Sequence, residues 1–198
     1  MEFQGFPKMA RLSRDVIISE KIDGTNACIF IGENGEFLVG SRTRWITPEQ
    51  DNHGFAKWAY ENRDDLMKLG PGQHFGEWWG CGINRGYGLK EKRFSLFNVQ
   101  RWCSADQEPK QIITGDPRIV KFQQQAPACC WLVPVLWHGE FDTAMVTAIL
   151  ESMREQGSTA APGYTNPEGV VVFHTAGNVG FKKTLDKDEM PKAMNTLC

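Results

Sequence analysis

Strand-length apolar runs separated by tight turns occupy the first part of the chain, and they restrict it to folds built on antiparallel sheet. Residues 16–22 are followed by Asp23-Gly24, residues 27–31 by Asn34-Gly35, and residues 37–42 complete the series. Asp-Gly and Asn-Gly between such runs are strong two-residue hairpin signals, so this stretch predicts an antiparallel meander.

Between Pro48 and Leu69 the texture changes. Phe55, Trp58, Ala59, Leu66 and Leu69 recur at roughly helical spacing, and Gly70-Pro71-Gly72 stops the segment; a helix packed on a sheet is predicted. Beta-type runs resume at 73–79, 93–99 and 130–137. A second helical stripe, Phe141, Met145, Ala148, Ile149 and Met153, ends near Gly157, and two more strands follow at 169–173 and 179–184. Groups of strands with two or three helices between them, without strict βαβ alternation, predict an α+β fold of largely antiparallel sheets flanked by helices. A doubly wound nucleotide fold is disfavoured. Neither the Gly-x-Gly-x-x-Gly fingerprint nor the Gly-x-x-x-x-Gly-Lys-Ser/Thr loop is present, so any nucleotide is handled by other means.

With 198 residues, no repeats and no linker, the chain reads as one domain over 1–198. It contains no apolar run long enough to span a bilayer, and residues 1–14 lack a signal-peptide pattern, so a soluble cytoplasmic protein without membrane contact is expected. Cys28, Cys81, Cys103, Cys129, Cys130 and Cys198 are scattered without a Cys-x-x-Cys pair, which argues for reduced, mostly buried thiols. Lys and Arg number 22 against 24 Asp and Glu, a net charge of −2, so contact with nucleic acid must be local.

The strongest chemical feature is Glu20-Lys21-Ile22-Asp23-Gly24-Thr25-Asn26, a lysine at the end of an apolar strand beside a tight turn. Alone it could be a hairpin with an exposed lysine. In context the chain resembles the covalent nucleotidyltransferases, the superfamily of polynucleotide ligases and RNA capping enzymes, whose first motif is Lys-x-Asp-Gly. Ser41-Arg42-Thr43-Arg44-Trp45 is similar to the next motif in its RNA ligase form. Phe75-Gly76-Glu77-Trp78-Trp79-Gly80 resembles the third, and Phe94-Ser95-Leu96-Phe97-Asn98-Val99 the strand after it. Pro167-Glu168-Gly169-Val170-Val171-Val172 and Phe181-Lys182-Lys183-Thr184 are similar to the fourth and fifth, and Asn84-Arg85-Gly86-Tyr87-Gly88 also looks like the small RNA ligases. One departure is that the fifth motif is commonly Lys-x-Lys, whereas Thr184 stands where the second lysine is expected. Period two puts Lys182 and Thr184 on one strand face and Lys183 on the other, so Lys182 is the candidate phosphate contact and Lys183 stays open.

The resemblance implies a nucleotidyltransferase (ATP-grasp-like) domain in which Lys21 attacks the α-phosphorus of ATP. Attack needs a neutral amine, which a lysine of ordinary pKa, about 10.4, is not at pH 7. Partial burial and nearby cations, here Lys182 and a divalent ion, can supply the needed ~4 kcal/mol and then stabilise the developing phosphate charge. The resemblance places Mg2+ (or Mn2+) at Glu168 and Glu77 near the ribose. It stacks Phe97 on the purine, brings Arg42 and Asn26 to the ribose or phosphate side, and sets Glu20 close to the base. Asp23 and Gly24 shape the turn, with Asp23 also placed to orient Lys21. Among the seven tryptophans, Trp58, Trp131 and Trp137 read as core, and Trp45 and the Trp78-Trp79 pair as candidates for exposed function.

The expected function is an ATP-dependent RNA ligase that forms lysyl-AMP at Lys21, adenylylates a 5′-phosphate end and seals it to a 3′-hydroxyl. A capping guanylyltransferase and a small DNA ligase are the alternatives within this chemistry. Both typically carry an OB domain after the fifth motif, and residues 185–198 are too few for one, which favours the RNA ligase. A separate RNA-binding or repair partner is a further expectation. A non-catalytic β-rich binding module is the alternative from a different class.

Overall fold

The computed structural model describes residues 2–6, 8–98, 110–111, 120–121, 126–186 and 188; Val99, Cys103 and Cys198 lie outside these. Strands β1 (Asp15–Lys21), β2 (Thr25–Ile31), β3 (Phe37–Ser41) and β4 (Trp45–Ile46) come first. Helices α1 (Phe55–Glu61) and α2 (Arg63–Leu66) and a 3-10 turn, Met67–Leu69, follow. Then come β5 (Gly72–Gly80), β6 (Lys92–Leu96), the short β7 (Lys110–Gln111) and β8 (Val120–Lys121), β9 (Cys130–Leu132) and β10 (Val135–Glu140). Helix α3 (Thr143–Gln156), β11 (Gly169–His174) and β12 (Val179–Thr184) complete the described chain.

The strands form a four-stranded sheet, β10-β1-β11-β12, a six-stranded sheet, β4-β3-β2-β5-β6-β9, and the small β7-β8 pair. Among the described residues every strand pairing is antiparallel except β6 with β9. The α+β, antiparallel-rich class expected from the sequence is therefore the observed one.

Two details differ from the sequence reading, and both matter for the site. Strands β1 and β2 do not pair: β1 lies between β10 and β11, while β2 lies between β3 and β5. Asp23-Gly24 is thus no hairpin turn but the crossover by which the chain leaves one sheet and enters the other. The apolar run 130–137 likewise splits into β9 and β10, which belong to different sheets. Pro134, which has no N–H to offer a ladder, stands at the break.

Three apolar clusters follow from this layout. Ala27, Ile29, Phe37, Val39, Trp78 and Phe94 on the larger sheet pack against Phe55, Ala56 and Ala59 of α1. Val16, Ile18, Val170 and Val172 of the smaller sheet pack against Ile149, Leu150 and Met153 of α3. Ile17, Ile22, Trp79, Tyr87 and Val135 join the two sheets near the crossover.

Local signals set the helix ends. Asp51 accepts from the Ala56 and Lys57 N–H groups (2.7 and 3.0 Å), satisfying donors that the first turn of α1 leaves free. Asp142 caps α3 through the Ala144 N–H at 2.8 Å, and Gly157 ends that helix.

The tryptophan assignments change with the packing. Trp78 and Trp79 are fully buried, because β5 is covered on both faces, whereas Trp131 and Trp45 are about half exposed. Among the described cysteines Cys28 and Cys130 are buried, Cys81 is exposed, and all are free thiols. No helix among the described residues is long and apolar enough to cross a membrane.

Candidate active site

Lys21 is the last residue of β1, and its strand neighbour across the ladder is Gly169, the first residue of β11. A glycine is required there. A Cβ at position 169 would run into the Lys183 carbonyl, and the backbone φ of +149° disfavours any other residue. Glu168, immediately before it, turns its carboxylate back to Lys21, with Oε2 at 2.5 Å from Nζ. The side chains retain only 19% and 9% of their surface, so water screens this ion pair poorly.

After Lys21 the chain crosses between the sheets, and Gly24 makes the passage possible. A Cβ at Gly24 would lie 2.5 Å from the Trp78 carbonyl oxygen and 2.7 Å from the Trp79 Cβ. The backbone therefore presses directly on β5. Its N–H donates to Glu77 Oε1 at 3.0 Å, and Asn26, paired with Glu77 across the ladder, donates from Nδ2 to Oε2 at 3.2 Å. Burial pushes the Glu77 carboxyl up to about 7, against the opposing pull of Lys21 and the Gly24 hydrogen bond, with Glu168 and Asp23 adding to the rise.

Asp23 sits in a bracket formed by the β5–β6 connection. Arg85 Nε reaches Asp23 Oδ2 at 3.0 Å, Asn84 Nδ2 donates to Asp23 Oδ1 at 3.0 Å and to the Gly24 carbonyl at 2.6 Å, and the Tyr87 hydroxyl accepts the Asp23 N–H at 2.8 Å.

Glu20 points the other way from Lys21, as neighbours on a strand must. Its carboxylate accepts from Ser158 Oγ (2.5 Å) and the N–H groups of Thr159 and Ala160 (both 2.8 Å). Burial raises its pKa, and those three bonds oppose the rise. The structure thus gives Glu20 to the loop after α3.

A cleft of about 470 Å³ opens on the larger sheet, lined among others by Asn26, Arg42, Phe75 and Phe97, which is within the usual range for a small-molecule pocket. Phe97 is 41% exposed, beside Phe75, whose carbonyl accepts the Phe97 N–H at 3.0 Å. Asn26 lines this cleft and bonds Glu77, whose carboxyl in turn feels the charges of Lys21 and Glu168, so the cleft and the ion pair are linked through one hydrogen-bonded pair.

Strand β12 adds the two adjacent lysines. Lys182 lies opposite Val171, which lies opposite Ser19, so Lys182 shares the sheet face of Lys21. Its neighbour Lys183 faces the other way and pairs with Asp188 at 2.7 Å. Thr184, opposite Gly169, is held by Asp188, which accepts its N–H at 2.8 Å.

The donor set fits a hard divalent cation bound together with a ligand. Glu168 Oε2 is buried, with no hydrogen-bond partner beyond its ion pair with Lys21. No cluster of three His, Cys, Asp or Glu that could hold a metal occurs among the described residues. A Mg2+-like ion keeps water and takes one or two carboxylates plus phosphate oxygens, and so needs no full protein cage.

Asn84, Arg85 and Tyr87 are the site residues that the sequence left without a role. Besides the resemblance of residues 84–88 to the small RNA ligases, which assigned them no role, the local signal was the density of glycine between 80 and 88. It matches positive φ at Gly80, Gly82, Asn84, Gly86, Tyr87 and Gly88, the mark of a loop bent for a purpose.

A family model described as RNA ligase matches residues 14–187. Comparison with curated proteins gives no match. Among solved structures, a variant of Naegleria gruberi RNA ligase with ATP and Mn is similar at 21% identity and TM-score 0.57, over 88% of this chain and 51% of that one. Another variant, with AMP and Mn, is similar at 18% identity and TM-score 0.58, over 87% and 50%. The form with PPi is similar at 15% identity and TM-score 0.53, again over 87% and 50%. These likenesses establish a shared fold, and the chain spans about half the length of the solved proteins it matches.

Proposed function

The chain belongs to the RNA ligase family, and on that premise we propose that it is an ATP-dependent RNA ligase in which Lys21 carries AMP. Residues 1–198 form one nucleotidyltransferase domain. Lys21 Nζ, having given up a proton, attacks the α-phosphorus of ATP; an N–P bond forms, the bond to the bridging oxygen breaks, and pyrophosphate leaves. AMP then passes to a 5′-phosphate end, and a 3′-hydroxyl displaces it to close the strand.

The observation that carries this reading is the shielded Lys21–Glu168 pair beside an aromatic-walled cleft. In the free protein the Glu168 carboxylate holds Lys21 Nζ in place through their shielded ion pair. Glu168 would hold a Mg2+ or Mn2+ ion bound together with the nucleotide; the ion would supply charge neutralisation at the phosphates, and a carboxylate so engaged would leave the Lys21 amine free to attack. Phe97 stacks on the purine, Arg42 and Asn26 reach the ribose or phosphates, and Glu77, itself bonded to Asn26, faces the ribose. Lys182, with no partner among the described residues and on the Lys21 face, neutralises α-phosphate charge. ATP, AMP, Mn and PPi in the similar structures are the reactant, product and metal that such a step needs. Action on RNA ends in repair, a cytoplasmic setting and a separate RNA-binding partner belong to the same reading.

The test is incubation with labelled ATP and Mg2+, followed by denaturation. Label that stays on the protein, and disappears in Lys21→Ala, is expected. Label from GTP alone would point to a capping enzyme, and none from any nucleotide to a binding module. Pre-adenylylated nicked RNA, nicked DNA and single strands offered side by side then identify what is sealed.

A further inference from the structure

We propose that Arg85 is a positioning residue that braces the Lys21–Glu168 pair from outside, and this inference rests on the adenylyl-transfer reading above. The two members of that pair come from segments far apart in sequence. Lys21 is followed two residues later by Asp23, and Glu168 is preceded by two residues at Asn166. One guanidinium touches both flanks: Nε donates to Asp23 Oδ2 at 3.0 Å and Nη1 to the Asn166 carbonyl at 3.1 Å. Arg85 is therefore a strut between the segment that carries the nucleophile and the segment that carries its carboxylate.

The strut is itself anchored. Ile83 and Tyr87, on either side of Arg85, are buried. The Tyr87 ring meets Trp79 edge-on at 5.0 Å and lies 4.7 Å from Tyr164, so the loop is fixed to both sides of the site. The Arg85 and Asp23 side chains keep only 24% and 25% of their surface, which sets them apart from exposed pairs that contribute nearly nothing. A planar guanidinium can serve two acceptors in fixed directions at once, whereas a lysine ammonium, a point charge on a flexible stem, can replace one contact well but not this bridge.

Arg85 bonds Asp23 and the Asn166 carbonyl and does not line the cleft, so its effect on the reaction passes through Lys21 and Glu168. Misplacing a reacting atom by about 1 Å can cost on the order of a hundredfold in rate. The purine and ribose contacts of Phe97, Arg42 and Asn26 line a cleft that Arg85 does not border, so ATP affinity changes little when the strut is lost.

Single-turnover adenylylation with labelled ATP, measured with ATP affinity and thermal melting, tests this. Arg85→Ala is expected to slow label transfer by about 10- to 100-fold with ATP affinity within about twofold of wild type. Arg85→Lys, which keeps the Asp23 pair but not the bridge, should recover part of the loss. Asp23→Ala should cost much less in the Arg85→Ala background than alone, because both act through one contact. A wild-type rate in Arg85→Ala, or a rate loss that only parallels lost ATP affinity and melting temperature without recovery in Arg85→Lys, would overturn the proposal. If Arg85→Ala does not fold, Arg85→Lys decides: a reduced rate at full ATP affinity supports the strut, and a wild-type rate sinks it. Absence of label on the wild-type chain would instead remove the adenylyl-transfer reading, and this inference with it.

Discussion

Replacing Glu77 by glutamine should change the protein's stability with a sign that depends on pH. The Glu77 carboxyl is buried between β2 and β6, and its pKa moves from 4.5 up to about 7 on folding, chiefly because burial penalises the charge. A carboxyl whose folded pKa is raised binds more protons in the native than in the unfolded chain between those two values. Stability therefore falls as pH rises from about 4.5 through about 7, and stays lower above it. Each tenfold change in proton affinity is worth about 1.4 kcal/mol, so the fall attributable to Glu77 is roughly 3 kcal/mol. Glutamine escapes that cost but gives up one acceptor: its oxygen can still take the Gly24 N–H, while its amide nitrogen meets Asn26 Nδ2, at a cost of about 1 kcal/mol. Glu77→Gln should thus be less stable than wild type by about 1 kcal/mol at pH 4.5 and more stable by about 2 kcal/mol at pH 8.5. Urea denaturation of both proteins at half-unit pH steps measures the difference. Glu20, raised in the same direction, adds to the pH dependence of each protein but cancels in the comparison. A stability difference that stays constant from pH 4.5 to 8.5 would refute the reasoning, whatever its sign.

Gly24→Ala should destabilise by about 2–3 kcal/mol in the same assay, since the new methyl meets the Trp78 carbonyl and Trp79 Cβ, neither of which can yield. Phe97→Ala should weaken ATP binding about tenfold by calorimetry, the loss of one stacking surface, while the melting temperature barely moves because the ring is half exposed. Asp142→Ala, which removes the α3 cap, should cost about 1 kcal/mol in stability and leave AMP transfer to Lys21 unchanged.

What the sequence disclosed was local, and what it hid was partnership. Helix α3 was legible because Phe141, Met145, Ala148, Ile149 and Met153 mark one face and Gly157 ends it. The strands were legible from length and turn punctuation. Their partition into two sheets was not, because a strand's own residues do not name its neighbours: Asp23-Gly24 reads as a hairpin until β5 is known to lie against Gly24. Trp78 and Trp79 looked available for function because burial of both faces of β5 depends on α1 and on the β5–β6 connection, which arrive from elsewhere in the chain. The approach of Glu168 to Lys21 could be expected only through a family resemblance. The bracket on Asp23 carried no hydrophobic period at all and depended on backbone turns at Asn84 and Tyr87.

The crossover explains why so short a motif needs each of its residue types. Lys21 ends one sheet, Gly24 fits against a strand of the other, and Asp23 between them is held from outside by Arg85 and Asn84. The Lys21 amine so placed is paired with Glu168 and interacts with Glu77, both brought from distant segments, so almost none of its environment is local. Long-range contacts are the ones lost first when an edge opens, and β12 is an edge strand with Val179 and Phe181 exposed. Loosening β12 from β11 would move Lys182 and release Gly169 and Glu168 together, while α1 and the larger sheet stayed folded. Amide exchange should therefore find the Leu185 N–H, which donates to the Glu168 carbonyl at 2.9 Å, less protected than those of Ile29 or Phe94. Equal protection across both sheets would show that the site shares the full stability of the core.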